Sequence, residues 1–165
     1  MCVSERLNPS SSSEFPPKKI LVPTDGSDNA RRAERVAVRL AKDYGAELTI
    51  LYVAALPAYL YAAPSPFGGA PVADLKDIFQ TAEKEGKKLV DNSVEYAKSQ
   101  GAMTVGNVLT SKSSVVFEIT QYAQDNNVDL IVIGTRGLGG FKKMLMGSVS
   151  SGVVAHAHCN VIVVK

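Results

Sequence analysis

Glycine and serine are concentrated in one segment near the C-terminal end of the chain, from Gly134 to Ser150. The segment reads GTRGLGGF over 134–141 and GSVS over 147–150. Glycine lets backbone N–H groups approach an anion closely, and a helix N-terminus adds free donors and a favourable dipole. The hydroxyls of Ser148 and Ser150 can donate further hydrogen bonds to phosphate oxygens. The segment therefore predicts a phosphate-binding site between a strand and a helix.

Other interpretations of these residues stay open. The glycines could serve only turns, with Gly147 and Ser148 as a simple helix cap, although several glycines at one strand-to-helix junction favour an anion site. Arg136 and Lys142 could neutralise phosphate charge, or they could be solvated surface cations. The apolar residues 144–146 are expected to wall the pocket or pack on the sheet.

The elements that must position this segment alternate between strand and helix. Apolar runs predict strands at 20–22, 48–53, 105–109, 128–133 and 161–164. Helical spacing and capping residues predict helices from Ser27 or Asp28 to Gly45, over 74–100, from Ser113 or Ser114, and over 148–158. Such alternation, with nearly continuous Val, Ile and Leu in the strands, is typical of a parallel sheet covered on both faces.

Composition limits the class of protein further. The chain has 165 residues, 45% of them hydrophobic and 21% charged, which fits one globular domain at 18–165 behind a disordered tail at 1–17. The long stretch 55–72, rich in Pro, Gly and Ala, is expected to be a lid, a binding loop or disordered.

Charge and hydropathy exclude some partners. A net charge of +2 gives no support for a nucleic-acid partner. No apolar run approaches the roughly 18 residues that span a membrane. Cys2 and Cys159 are the only cysteines, and the N-terminus lacks the apolar core of a signal peptide, so we expect a reduced, cytoplasmic protein.

Comparison with phosphate-binding motifs narrows the site. A P-loop needs G-x-x-x-x-G-K-[ST], and no lysine here precedes a Ser or Thr at that spacing. A dinucleotide fingerprint needs G-x-G-x-x-G after the first strand, where this chain has PTDG at 23–26. The serine and paired glycines of the ATP pyrophosphatase loop are also missing from that position.

The pattern that does match is G-x-x-G-x9-G-[ST], formed by Gly134, Gly137, Gly147 and Ser148. Together with PTDGS at 23–27, it makes the sequence similar to the universal stress protein family, in its ATP-binding branch, from residue 18 to the end. Members without the glycine pattern do not bind ATP, and this chain has all of it. Prolines common in the family near His158 and Asn160 are absent here, which puts the shape of that turn in doubt.

The resemblance implies a single-domain Rossmann-like fold of the adenine nucleotide α-hydrolase type. Its five-stranded parallel sheet, in the order 3-2-1-4-5 with helices on both faces, would bring Asp25 and Gly134 to one crevice. The family also implies ATP with Mg²⁺ or Mn²⁺ as the bound groups. The aspartate matching Asp25 lies beside the ribose and phosphates and helps to hold the metal, and the valine matching Val53 meets adenine through its backbone.

Further site residues follow from the same resemblance. Residues matching Gly137, Gly147, Ser148 and Val149 hold the phosphates, and the two motifs add Pro23, Thr24 and Gly134. The complete predicted site also includes Ser150 and Arg136 on the chemistry of their side chains alone, since family members vary at the position of Arg136. Among acidic residues, only Asp25 stands at the mouth of the first or fourth strand, where a magnesium–triphosphate complex needs a carboxylate. An aspartate in T-D-G-S could also be only a turn residue or a helix cap.

These features predict an ATP-dependent stress or signalling regulator that hydrolyses ATP slowly, if at all. No nucleophile–base pair or acid–base pair converges on the predicted pocket, and surface or capping roles are favoured for His156 and His158. The alternatives are a cyclic AMP or AMP sensor of the same fold, and a partner-binding structural protein with an unused pocket. The apolar edge strand 161–164 predicts a homodimer, as in the family.

Overall fold

The computed structural model describes residues 15–55, 72–111, 113–137 and 146–165. Their elements are, in chain order, Lys19–Pro23 (β1), Asp28–Tyr44 (α1), Glu47–Ala55 (β2), Val72–Ser99 (α2), Thr104–Ser111 (β3), Val115–Asp125 (α3), Leu130–Gly134 (β4), Ser148–His156 (α4) and Asn160–Val164 (β5). Strand and helix alternate throughout, as the apolar runs predict.

The five strands form one parallel sheet in the order β3-β2-β1-β4-β5. The predicted fold class and strand order are therefore confirmed. The chain builds outward from β1 in one direction through β2 and β3, then crosses back to place β4 on the other side of β1. In an open α/β sheet, a reversal of this kind leaves a crevice at the carboxyl ends of the two central strands, where ligands bind.

Each face of the sheet is covered by two helices. Successive residues of a strand point to opposite faces, so Ile20 packs with the α1 and α2 side and Leu21 with the α3 and α4 side. Small residues on α1, such as Ala33 and Ala37, are fully buried and bring the helix close to the sheet. These two cores fix the strand ends that surround the crevice.

Capping residues set the helix ends where the sequence indicates. Ser27 is the N-cap of α1, and its Oγ accepts a hydrogen bond from Ala30 N–H at 3.2 Å. Gly45 ends α1 in the left-handed conformation, with φ of 65°. Ser114 caps α3 in the same way as Ser27 caps α1. α1 and α3 therefore each start at a defined residue.

The structure differs from the sequence-based bounds mainly at strand ends. β2 and β3 are longer than predicted because they pair with each other from Leu48 opposite Thr104 to Ala55 opposite Ser111. The predicted strand at 128–133 lies at Leu130–Gly134 (β4). An apolar run marks where side chains are buried, whereas the ladder of backbone hydrogen bonds decides where a strand ends.

Several predictions fall on other parts of the chain. Residues 1–14 of the predicted tail and 56–71 of the long connection lie outside the described residues. The last tail residues, 15–17, are described, and the Phe15 ring packs edge-on against Tyr44 with centroids 5.2 Å apart. In the described part of the chain, no helix combines the length and apolar character needed to cross a membrane.

Candidate functional site

A cavity of about 620 Å³ opens at the carboxyl ends of β1, β2 and β4, where the strand order reverses. Its size is that of a pocket for a small molecule. All the predicted site residues line it: Pro23, Thr24, Asp25, Val53, Gly134, Arg136, Gly137, Gly147, Ser148, Val149 and Ser150. Residues distant in sequence are thus brought to one cavity. Residues 138–145, including Lys142 and the predicted wall residues Met144 and Leu145, lie outside the described part of the chain.

The turn after β1 presents Asp25 at the cavity. The backbone N–H of Thr24 donates to Leu51 O at 2.9 Å, which continues the β1–β2 pairing one residue past the strand. Asp25 Oδ1 accepts a hydrogen bond from Ser27 N–H at 3.0 Å, and Thr24 Oγ1 accepts one from Gly26 N–H at 3.3 Å. These local hydrogen bonds fix a carboxylate at the crevice, as the turn chemistry of T-D-G-S favours.

Gly134, the last residue of β4, and Gly137, which follows the strand, are needed for different structural reasons. A β-carbon on Gly137 would lie 2.3 Å from Asp25 Oδ2, so this glycine lets the chain approach the carboxylate. A β-carbon on Gly134 would lie 2.7 Å from the carbonyl carbon of Asn29, so Gly134 lets α1 pack closely on β4. Gly134 therefore lines the cavity chiefly as a packing residue, whereas Gly137 shapes its polar end.

The N-terminus of α4 forms another side of the cavity. Its N-cap is Gly147, which has no side chain to cap the helix. The backbone N–H groups of Ser148, Val149 and Ser150, in the first turn, have no intrahelical partner, as in any helix start. Together with the helix dipole, these donors favour an anion.

Two predicted phosphate donors at this helix start are engaged elsewhere. Gly147 N–H donates to Thr135 O at 2.7 Å. The Ser150 side chain is buried, and its Oγ donates to Thr135 O at 2.9 Å and Gly147 O at 3.0 Å. A hydroxyl has only one proton, so Ser150 would have to give up these hydrogen bonds to donate to phosphate, and its phosphate contact stays a prediction. Ser148 is exposed at the helix start and keeps that expected role.

β2 extends past the end of β1 and offers backbone groups to the cavity. β1 pairs with β2 only as far as Pro23 opposite Leu51. In a strand, the N–H and C=O groups of residues two apart point to the same edge. Leu51 O points towards β1, where it meets Thr24, so the N–H and C=O of Val53 point to the same edge beyond the end of β1. Val53 thus presents one donor and one acceptor at the cavity.

Apolar side chains that the sequence assigned only to the core also line the cavity. They are Ala30, Leu51, Val115, Ile119 and Ile133, joined by Met146, which the sequence places at the pocket wall. Helical spacing gave the signal for Val115 and Ile119, but it shows only that they share an apolar face of α3 and not that this face ends at a cavity. They give part of the cavity an apolar surface.

Tyr52 is a further lining residue that sequence reasoning missed. Partial burial raises the pKa of its phenol, and the negative charges of Glu85 and Asp25 raise it further. The Tyr52 hydroxyl is therefore neutral at physiological pH and can donate a hydrogen bond.

The charges around the cavity suit a metal–phosphate group better than a bare metal ion. No cluster of three or more His, Cys, Asp or Glu side chains that could hold a metal occurs in the described residues. Asp25 supplies the only carboxylate among the described lining residues, and Arg136 supplies a half-buried cation. Mg²⁺ bound through one carboxylate, water and ligand phosphates needs no more than this. His156 and His158 are exposed at the opposite end of α4.

Comparison with known proteins agrees with this architecture. The profile of the Universal stress protein family matches residues 16–165. The universal stress protein YxiE of Bacillus subtilis is 34% identical over 147 residues, covering 89% of this chain and 98% of that protein. The structure of universal stress protein UspA from Lactobacillus plantarum matches with a TM-score of 0.77 and 30% identity, over 90% of this chain and 97% of that one.

A third match is the structure of a universal stress protein in complex with cAMP, which has a TM-score of 0.63 and 25% identity over 90% of this chain and 97% of that one. A parallel sheet with a cavity at its switch point defines the class of Rossmann-like α/β proteins. Within that class, the chain belongs to the universal stress protein family.

Proposed function

We propose that this protein binds ATP with Mg²⁺ or Mn²⁺ in the cavity and acts as a nucleotide-dependent stress or signalling regulator. The observation that carries the proposal is the arrangement around a single cavity of three kinds of group. They are the backbone edge of Val53, the carboxylate of Asp25 and the first turn of α4. The Val53 backbone suits the base edge of an adenine nucleotide, Asp25 suits the ribose and the metal–phosphate group, and the first turn of α4 suits the phosphates.

The residues present fit each part of that ligand. The N–H and C=O of Val53 can pair with the hydrogen-bonding edge of adenine, while Val115 and Ile119 offer apolar contact to the base. The free N–H groups at the start of α4 suit the phosphates. When bound, the metal would neutralise phosphate charge, and Asp25 is the residue that would hold it.

We propose a binding protein with slow hydrolysis at most, switched by nucleotide occupancy. The sequence predicts no nucleophile–base pair and no acid–base pair for this pocket, and the described lining residues include no histidine or cysteine. We expect hydrolysis without such a pair to be slow. Because Cys2 and Cys159 are the only cysteines, we keep the cytoplasm as the proposed compartment.

A cyclic AMP or AMP sensor is the second candidate, favoured by the related structure that holds cAMP. Isothermal titration separates the two. We expect ATP with Mg²⁺ to bind more tightly than AMP or cyclic AMP, and removal of the metal to weaken ATP. Tighter binding of AMP or cyclic AMP would favour the sensor. No heat with any of these ligands at millimolar concentration would refute nucleotide binding.

We also propose a homodimer formed through β5. This strand lies at an edge of the sheet, with its apolar side chains only partly buried. Thr135 N–H donates to Val164 O, so Val164 and Ile162 point their backbone groups towards β4. The backbone groups of Val161 and Val163 then point away from the sheet, and pairing with β5 of a second copy would satisfy them.

A further inference from the structure

A buried acidic residue lies behind the cavity and outside its lining. Glu34, on α1, is 6% exposed. Its Oε1 accepts a hydrogen bond from Thr24 Oγ1 at the end of β1, and its Oε2 accepts one from Ser93 Oγ of α2 at 3.0 Å. The carboxylate therefore joins the strand end that precedes Asp25 to a helix on the outside of the sheet.

The hydrogen bonds of this group have a definite direction. The Thr24 hydroxyl already accepts a hydrogen bond from Gly26 N–H, so it gives its single proton to Glu34. Ser93 likewise donates to the other carboxylate oxygen. The chain of hydrogen bonds runs from Ser93 through Glu34 to Thr24 and Gly26, and Thr24 and Gly26 are the residues on either side of Asp25.

α2 also touches the same region with two other residues of the same helix face. A β-carbon on Gly86 would lie 2.3 Å from the Tyr52 ring, so the helix backbone packs directly on this cavity residue. A β-carbon on Gly26 would lie 2.4 Å from Leu89 Cδ1, so Leu89 contacts the turn that carries Asp25. Gly86, Leu89 and Ser93 are three and four residues apart and share one face of α2.

Burying a carboxylate at this position has a free-energy cost. Desolvation of a buried charge is costly, and no Lys or Arg side chain in the described residues lies within ion-pair distance of Glu34. An apolar side chain on the same helix face would pack between α1 and α2 without that cost. The hydroxyls of Thr24 and Ser93 would then lose their shared acceptor.

We propose that Glu34 is a positioning residue for the nucleotide site. It holds the Asp25 turn through Thr24 and fastens that turn to α2 through Ser93, so nucleotide affinity depends on the docking of α2. The proposal rests on the proposed function for its binding readout. Because coupling between two sites is reciprocal, bound nucleotide must in turn hold α2 more firmly.

Three variants of the full chain test this proposal. Glu34→Leu removes both hydrogen bonds and fills the space; because the Thr24 and Ser93 hydroxyls lose their acceptor, we expect it to fold with a melting temperature lowered by about 5 °C. Glu34→Gln keeps the shape and can still bond both hydroxyls. Ser93→Ala removes only the hydrogen bond between Glu34 and α2. By titration calorimetry, we expect Glu34→Leu to weaken ATP with Mg²⁺ at least about tenfold, Ser93→Ala about threefold and Glu34→Gln less than threefold.

The metal dependence distinguishes positioning from general damage. Because Glu34 acts through Asp25, Glu34→Leu should change the affinity for metal-free AMP by less than about twofold. In the wild type, ATP with Mg²⁺ should slow amide hydrogen exchange in α2 around Ser93, and Ser93→Ala should abolish that slowing. Unchanged ATP affinity in Glu34→Leu, or an equal loss for ATP and AMP, would overturn the proposal.

A ligand-free measurement keeps this proposal separate from the proposed function. If the wild type bound no nucleotide, the proposed function would fail, but exchange of the Gly26 and Ser27 amides could still be followed by NMR. Faster exchange at both amides in Glu34→Leu than in the wild type would support the positioning role. Unchanged exchange at both amides would refute it.

Discussion

Gly137 lies against the carboxylate of Asp25, so closely that a β-carbon on the glycine would come within 2.3 Å of Oδ2. The two residues follow β4 and β1, which are neighbours in the sheet although more than a hundred residues separate them in sequence. This contact joins the two motifs that the sequence shows separately. It also makes the shape of the site sensitive to a single methyl group.

Gly137→Ala should therefore weaken ATP binding. The backbone at Gly137 is not in the left-handed region, so alanine should not strain it and thermal stability should stay close to that of the wild type. The methyl group would instead displace the Asp25 carboxylate, and we expect at least about a tenfold loss of ATP affinity in the presence of Mg²⁺, measured by titration calorimetry.

A double-mutant cycle provides the control for Gly137→Ala. If the methyl group acts through the carboxylate, the same substitution in an Asp25→Ala background should cost little more than Asp25→Ala alone. Additive losses would mean that Gly137 contributes to binding independently of Asp25.

Asp25→Asn should separate the metal-dependent part of binding from the rest. Asparagine keeps the size and the oxygen that accepts the Ser27 N–H, but it removes the charge that would hold Mg²⁺. We expect ATP affinity with Mg²⁺ to fall by about tenfold or more and AMP affinity to stay within about twofold. If Asp25→Asn leaves the affinities for ATP, AMP and cyclic AMP all unchanged, the cyclic AMP or AMP sensor is favoured.

Two serines of α4 should respond in opposite ways. The buried Ser150 hydroxyl donates to Thr135 O and Gly147 O, so Ser150→Ala should lower the free energy of unfolding by about 1 kcal/mol and the melting temperature by about 3 °C. Ser148 is exposed, so Ser148→Ala should leave stability unchanged and weaken only nucleotide binding. Thermal melts and titrations on both variants check this pair; a stable Ser150→Ala protein with lost binding would contradict it.

Val163→Pro should weaken the homodimer proposed to form through β5. Val163 points its N–H away from β4, so proline removes a donor at the sheet edge while the pairing with β4 is kept. Val163→Ala loses most of the same side chain but keeps the N–H, and it is the matched control. Light scattering at equal concentrations should show monomer for proline and dimer for alanine; a dimer in both would argue against pairing of the β5 edges.

Much of the fold follows from local information in the sequence. Apolar runs located the strands, and Ser27, Gly45 and Ser114 marked helix ends because each acts on backbone groups within a few residues. The strand order came from the family resemblance, since periodicity alone does not say which strands are neighbours. The predicted site residues meet in one cavity because that order brings β1, β2 and β4 together.

What the sequence did not predict depends on contacts between distant residues. The Ser150 hydroxyl is engaged by Thr135 O across a connection of many residues, and no local pattern announces such a partner. The sequence did not show that Tyr52, Val115 and Ile119 line the cavity, for a similar reason. An apolar residue on a helix face looks the same in sequence whether it meets the core or a ligand.

The overhang of β2 beyond β1 has an evolutionary consequence. Every amino acid except proline carries the same backbone N–H and C=O, so the groups that Val53 offers do not depend on its side chain. Point substitutions at this position can accumulate without changing those two groups. A one-residue insertion or deletion in β2 would instead turn them towards β3. Selection at this end of the site should therefore act on strand length and register more strongly than on residue type.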